Sequence, residues 1–188
     1  KGEAITFGRD EHPRADTTLD GLAKLKSAFR EDGSVTAGNA SGINDGAAAL
    51  LLASEAGAKR HHLEPVARVL GMAVAGVPPR IMGIGPVQAS NKALEKAELT
   101  MNDMDIIELN EAFSSQALAC IKEWGLEDND PRINPNGGAI ALGHPLGVSG
   151  TRILQTAAIE LQKKNKKYAL ATMCIGVGQG YATIIKRV

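Results

Sequence analysis

Residues Tyr168–Val188 read YALATMCIGVGQGYATIIKRV. Two apolar runs, YALATMCIGV and GYATIIKRV, flank the glycines at Gly178 and Gly180. The runs predict two strands, and the glycines predict a link short enough for antiparallel pairing. Working upstream, the same alternation continues. VSGTRILQTAAIELQKKNKK, from Val148, predicts a helix with a basic last turn. AFSSQALACIKEWG (Ala112–Gly125) predicts a helix closed by Gly125. MDIIEL (Met104–Leu109) predicts a strand, and VQASNKALEKAEL (Val87–Leu99) a helix with Pro86 near its first position. VARVLGMAVAGV (Val66–Val77) predicts a strand, joined to that helix by a Pro/Gly loop, VPPRIMGIGP. Strands alternating with helices imply a layered α/β unit around a mixed, largely parallel sheet.

Upstream of Pro65 the pattern changes, and a domain boundary is expected there. TTLDGLAKLKSAF (Thr17–Phe29) spaces Leu19, Leu22, Leu25 and Phe29 as a helix would. REDGSVTAGNASGINDG (Arg30–Gly46) is rich in turn-forming pairs. AAALLLASEAGAKRHH (Ala47–His62) predicts a buried strand, then a helix with a basic end.

Composition excludes several functions. The chain has 188 residues, 44% hydrophobic, with a formal net charge of zero. That balance gives no electrostatic case for nucleic acid or an anionic membrane as the main partner. Aromatic residues make up 3%, too few for a base-stacking platform. No apolar run approaches the ~20 residues of a membrane helix. No signal peptide is visible, and Lys1 is not expected to be the natural start. Cys120 and Cys174 form neither a zinc-ligand spacing nor a disulfide framework, so a reducing, cytoplasmic setting is expected and no metal.

In open α/β sheets, ligands gather beyond the carboxyl ends of strands. Three unusual residues fall there. Asn110-Glu111 follows DIIEL, His144 lies in NGGAIALGHPLGVSG (Asn136–Gly150), and Cys174 ends the strand from Tyr168. Each has a plainer reading. Asn110 suits a helix cap, Glu111 a helix first turn, and His144 a structural position. Cys174 alone would more often be a small buried hydrophobe. The five glycines around His144 favour close backbone approach, because ordering them is costly. Cys120 shares a helical stripe with Phe113, Ala117, Ile121 and Trp124, and is expected to be inert core. An amide, an imidazole, a thiol and free loop amides together point to thioester or carbonyl chemistry.

GNASGINDGAA (Gly38–Ala48), NEAF (Asn110–Phe113), NGGAIALGHPLGVSG and CIGVGQG (Cys174–Gly180), in this order, resemble the thiolases, the acyl-CoA C-acyltransferases. RDEHPR, LAKLKSAF and DNDPRINPNGGAIALGHPLG further resemble the 3-oxoadipyl-CoA thiolases of aromatic-compound breakdown. The resemblance implies two stacked α/β/α halves and a loop domain that contacts coenzyme A. Residues 1–43 would end the loop domain, 44–65 would complete the N-terminal half, and 66–188 would form the C-terminal half. His144 would activate the nucleophilic cysteine and help bind the thioester oxygen. Asn110 would hold a water of that first oxyanion site. Cys174 would be the acid/base at the substrate α-carbon, and the Gly176 amide would serve a second oxyanion hole. Ser41, Arg14, Met82, Ala112 and Phe113 would lie along coenzyme A, which acts as co-substrate and not as a permanent cofactor.

The acylated cysteine of thiolases lies in the N-terminal half, and neither cysteine here matches its position. The expectation is therefore the C-terminal portion of a thiolase. Complete, it would cleave a 3-oxoacyl-CoA with CoA to acetyl-CoA and a shortened acyl-CoA. This portion alone is expected to be inactive, its partners being acyl-CoA thioesters, the missing half, and further copies in a homodimer or homotetramer. The alternatives are a non-catalytic fragment that binds acyl-CoA or docks with a partner, and a stand-alone thioesterase or acyltransferase with Cys174 as nucleophile.

Overall fold

The computed structural model describes residues 2–188. A single four-stranded sheet organises most of the chain after Pro65. Its strands are β1 (Ala67–Gly76), β2 (Ile106–Leu109), β3 (Tyr168–Ile175) and β4 (Gln179–Arg187), in the order β1-β4-β3-β2. β3 and β4 pair antiparallel from Tyr168↔Lys186 to Ile175↔Gln179. Their turn is Gly176-Val177-Gly178, with φ of +60° at Val177 and +90° at Gly178. A side chain at Gly178 would collide with the Val77 carbonyl, whereas the bare glycine carbonyl accepts from Val77 N–H at 2.7 Å.

The sheet is mixed, but the expectation that it is largely parallel is corrected. Only β2–β3 runs parallel, while β1–β4 and β3–β4 are antiparallel. A parallel pair needs a long crossover, and the β2-to-β3 connection supplies one. The tight glycine turn returns β4 antiparallel. β1 then adds to the free edge of β4, with a register shift between Val69 and Gly71.

Helices cover both faces. α3 (Gly85–Lys96) packs on β1, β3 and β4, and α6 (Ser149–Lys163) packs on β2, β3 and β4. β2 alternates between them, as a pleated strand must. Ile107 joins a core with Ala89, Ala93, Leu94, Leu170 and Ile184. Ile106 joins Ala157, Leu161 and Ile185 on the α6 side. α4 (Ser114–Glu123) closes a third cluster, in which Cys120 and Ile121 meet Leu109 and Val87.

Before Pro65 the chain is largely exposed. α1 covers only Leu19–Ala23, capped by Thr18, and stops short of the expected Phe29. Phe29 instead sets its ring edge-on to Phe113, centroids 6.0 Å apart. The strand expected within Ala47–Ala53 has no ladder partner among the described residues, and Leu51 and Leu52 are 79% and 76% exposed. α2 (Glu55–Arg60) follows, capped by Ser54 and ending in Lys59 and Arg60.

Candidate active site

The carboxyl ends of the parallel pair β2 and β3 carry the polar residues. Asn110 follows β2, and its N–H donates to the Thr172 carbonyl of β3 at 3.0 Å. It is buried and does not cap α4, whose cap position is Phe113. Its Nδ2 lies 3.5 Å from Nε2 of His144. His144 sits between α5 (Ala139–Leu142) and α6, just after Gly143. Gly143 has φ +99°, which disfavours a side chain, and a Cβ there would press on Asn44.

The tautomer of His144 follows from its neighbour. Nδ1 is 2.6 Å from Oγ of Ser149. The Ser149 hydroxyl has one hydrogen, and it donates to the Pro145 carbonyl at 3.2 Å. With that hydrogen engaged, Oγ is free to accept from Nδ1–H, the tautomer in which the Nε2 lone pair faces Asn110 and the site. Burial first, then the Arg152 cation, hold the imidazole below its ordinary pKa. That lowering favours the neutral imidazole.

Cys174 is the penultimate residue of β3, two residues beyond Thr172 and opposite Gly180. It is buried, and burial pushes its thiol up. A protonated thiol suits proton transfer better than nucleophilic attack, which needs the thiolate. Gly176 opens the exposed turn beyond it. Cys120 differs: its S–H donates to the Gly83 carbonyl at 3.3 Å, within the α4 core. Burial pushes it up to about 11.

Of the residues expected along coenzyme A, Ser41, Ala112 and Phe113 come together. Ser41 N–H donates to the Ala112 carbonyl at 3.0 Å, and Ala40 bridges to Phe113. Among the described residues, Arg14 and Met82 do not join that bridge. Arg14 lies in the exposed amino-terminal segment, and Met82 in the 3-10 turn Pro79–Ile84.

Several supporting residues carried no signal of their own in the sequence. Ser149 orients His144, and Asn44 Oδ1 accepts from the His144 N–H at 3.0 Å. Asn134 extends the edge of β2, bonding both Leu109 N–H and Leu109 carbonyl at 2.9 Å. It also donates to Glu111 at 2.7 Å. Glu111 in turn accepts from Ile140 N–H at 3.2 Å, so it precedes α4 instead of joining its first turn and caps the first turn of α5. The only available signal was the density of Asn and Gly in the quoted stretches. Among the described residues no group of three His, Cys, Asp or Glu is placed to hold a metal ion, and no helix is long and apolar enough to cross a membrane.

Glu108 lies beneath the site on the α6 face of β2, 1% exposed. Burial pushes its carboxyl from 4.5 to about 8, against the pull of Arg152. The folded state thus binds a proton that the unfolded chain releases. Stability from the neutral carboxyl is complete below the ordinary carboxylate range and is lost as pH rises through about 8. Thermal unfolding from about pH 5 to pH 9 is expected to show a falling midpoint. Glu108→Gln should flatten that dependence, and a midpoint that rises over this range would contradict the assignment. His144 acts oppositely, stabilising above its ordinary pKa and losing that contribution in acid.

Comparison with known proteins extends these observations. The family model of the thiolase C-terminal domain matches residues 63–187, and that of the thiolase N-terminal domain matches residues 1–56. Over 188 residues the chain is 58% identical to a beta-ketoadipyl-CoA thiolase of Acinetobacter baylyi. It is also 58% identical to the 3-oxoadipyl-CoA/3-oxo-5,6-dehydrosuberyl-CoA thiolase of Escherichia coli. In both cases all of this chain aligns with 47% of the relative, so it spans about half their length. Human mitochondrial 3-ketoacyl-CoA thiolase in complex with CoA superposes with a TM-score of 0.93 at 51% identity, over 98% of this chain and 46% of that one. The Bacillus anthracis acetyl-CoA acetyltransferase gives 0.94 at 48% identity, over 100% and 47%. The C-terminal match covers well over half of the chain and contains Asn110, His144 and Cys174. The chain belongs to the thiolase family.

Proposed function

We propose that this chain carries the carboxyl-terminal part of a degradative thiolase active site. The complete enzyme uses CoA to cleave a 3-oxoacyl-CoA, with 3-oxoadipyl-CoA as the preferred substrate. The observation that carries the reading is the His144 arrangement: a buried neutral imidazole, its Nδ1 fixed by Ser149 and its Nε2 bare beside Asn110. Identity of 58% to enzymes named for beta-ketoadipyl-CoA supports the substrate. In this reading residues 1–43 end the loop domain, 44–65 complete the N-terminal half and 66–188 form the C-terminal half. The enzyme is cytoplasmic and works as a homodimer or homotetramer.

The chemistry divides as follows. A cysteine supplied by the amino-terminal half gives its proton to His144 Nε2 and attacks the C3 carbonyl. The imidazolium N–H then faces the oxyanion, together with a water held by Asn110. The C2–C3 bond breaks, its electrons pass to the thioester enolate, and Cys174 S–H protonates C2 to release acetyl-CoA. The Gly176 amide steadies the enolate oxygen. In the second half, the Cys174 thiolate takes the proton of incoming CoA, whose sulfur attacks the acyl-cysteine. His144 returns its proton to the departing cysteine. Ser41, Ala112, Phe113, Arg14 and Met82 hold the CoA moiety.

The test is thiolysis by this chain alone and by the chain completed with the amino-terminal half. The completed enzyme is expected to convert 3-oxoadipyl-CoA and CoA to succinyl-CoA and acetyl-CoA, and this chain alone to give no turnover. A completed, folded enzyme that binds CoA and cleaves no 3-oxoacyl-CoA would reduce the reading to acyl-CoA binding.

A further inference from the structure

We propose that His12 and Asn44 are positioning residues that lock the backbone of the catalytic loop and so aim His144, an inference that rests on the thiolase reading above. Four groups form one chain. His12 Nε2 lies 3.0 Å from the Ile140 carbonyl. His12 Nδ1 lies 3.3 Å from Asn44 Nδ2. Asn44 Oδ1 lies 3.0 Å from His144 N. Both ends are backbone groups whose roles cannot change: a carbonyl only accepts and an N–H only donates. Nε2 of His12 therefore carries the hydrogen, Nδ1 is bare, and the Asn44 amide donates to it while its oxygen receives His144 N–H. Every member is satisfied in one polarity, and in that polarity only.

The relay spans what local structure leaves loose. It grips Ile140 within α5 and the first residue after Gly143, whose φ of +99° takes the chain out of helical geometry. Ile43 also bridges to His144, placing the segment from Gly42 to Asn44 alongside the catalytic loop. Glycines make room for both side chains. A Cβ at Gly42 would lie 2.6 Å from His12 Cε1, and one at Gly143 would lie 2.6 Å from Asn44 Oδ1. A rotation of the Gly143–His144 peptide would swing the imidazole off Ser149 and move Nε2.

The test uses the complete enzyme and its His12→Phe, His12→Gln and Asn44→Ala variants. His12→Phe and Asn44→Ala are expected to lower kcat by about 10- to 100-fold, the scale of a misplacement near 1 Å, with KM for CoA within about twofold. His12→Gln, whose amide can both donate to Ile140 and accept from Asn44, should recover most of the rate. The second readout is hydrogen exchange at the His144 amide, protected in the parent and in His12→Gln and fast in His12→Phe and Asn44→Ala. An inactive parent that shows this exchange pattern overturns the thiolase reading and leaves the relay standing. An active parent whose His12→Phe variant keeps kcat and a protected amide overturns the relay. So does a loss of kcat that His12→Gln does not rescue and that leaves His144 exchange unchanged.

Discussion

Replacing His144 by alanine in the complete enzyme is expected to lower kcat by about 10⁴-fold or more, with KM for CoA changed only a few-fold. The magnitude follows from two roles in one side chain. As a base at Nε2 it is worth ~10²–10⁴, and as an oxyanion donor once protonated ~10²–10³. The roles succeed one another within a single residue, so their losses do not simply multiply. Burial and Arg152 hold the imidazole neutral, so the acid limb of kcat/KM should fall below the ordinary histidine range. Asn110→Ala should cost less, on the order of 10²-fold, because it removes one donor and leaves the base. A folded His144→Ala enzyme with full activity would overturn the assignment.

The parts of this site that could be read in the sequence share one property: they lie at the ends of regular elements. DIIEL and YALATMC advertise strands by composition, and the rule that ligands gather at strand carboxyl ends then picks out Asn110 and Cys174. His144 stood out because the glycines around it are costly to order. Asn44 and His12 did not stand out, although they reach His144 and Ile140 across separations of 100 and 128 residues. A polar contact at that range leaves no periodic trace. The same limit applied to the fold. The spacing of Leu19, Leu22, Leu25 and Phe29 fits a helix, yet tertiary contacts overrode it. Phe29 turns to Phe113, while Leu22 and Leu25 crowd Gly38. Strand β1 was legible as a strand, but its antiparallel place beside β4 was not, because apolar pattern reports burial and not direction.

The two cysteines should respond very differently to substitution. Cys174→Ser in the complete enzyme is expected to lower thiolysis by about 10³-fold or more, since a serine hydroxyl is a far weaker proton donor to carbon. The first cysteine should still be acylated slowly by an acyl-CoA, because His144 and Asn110 are untouched. Cys120→Ala should change stability by about 1 kcal/mol and leave the rate alone. Its thiol is fully buried and bonded to the Gly83 carbonyl. Alkylation under native conditions should reach Cys174 first, the more so because burial holds Cys120 up to about 11. Equal labelling of both thiols in the folded protein would contradict this division.

Incorporation of deuterium into the methyl group of acetyl-CoA, measured with the complete enzyme in D₂O, separates proton transfer from acylation. The parent enzyme is expected to exchange those hydrogens, because in the proposed mechanism Cys174 deprotonates carbon while the Gly176 amide holds the enolate. Cys174→Ser should lose the exchange while intact mass still shows an acetyl group on the enzyme. A folded Cys174→Ser enzyme that exchanges at the parent rate would show that Cys174 is not the proton carrier assigned here.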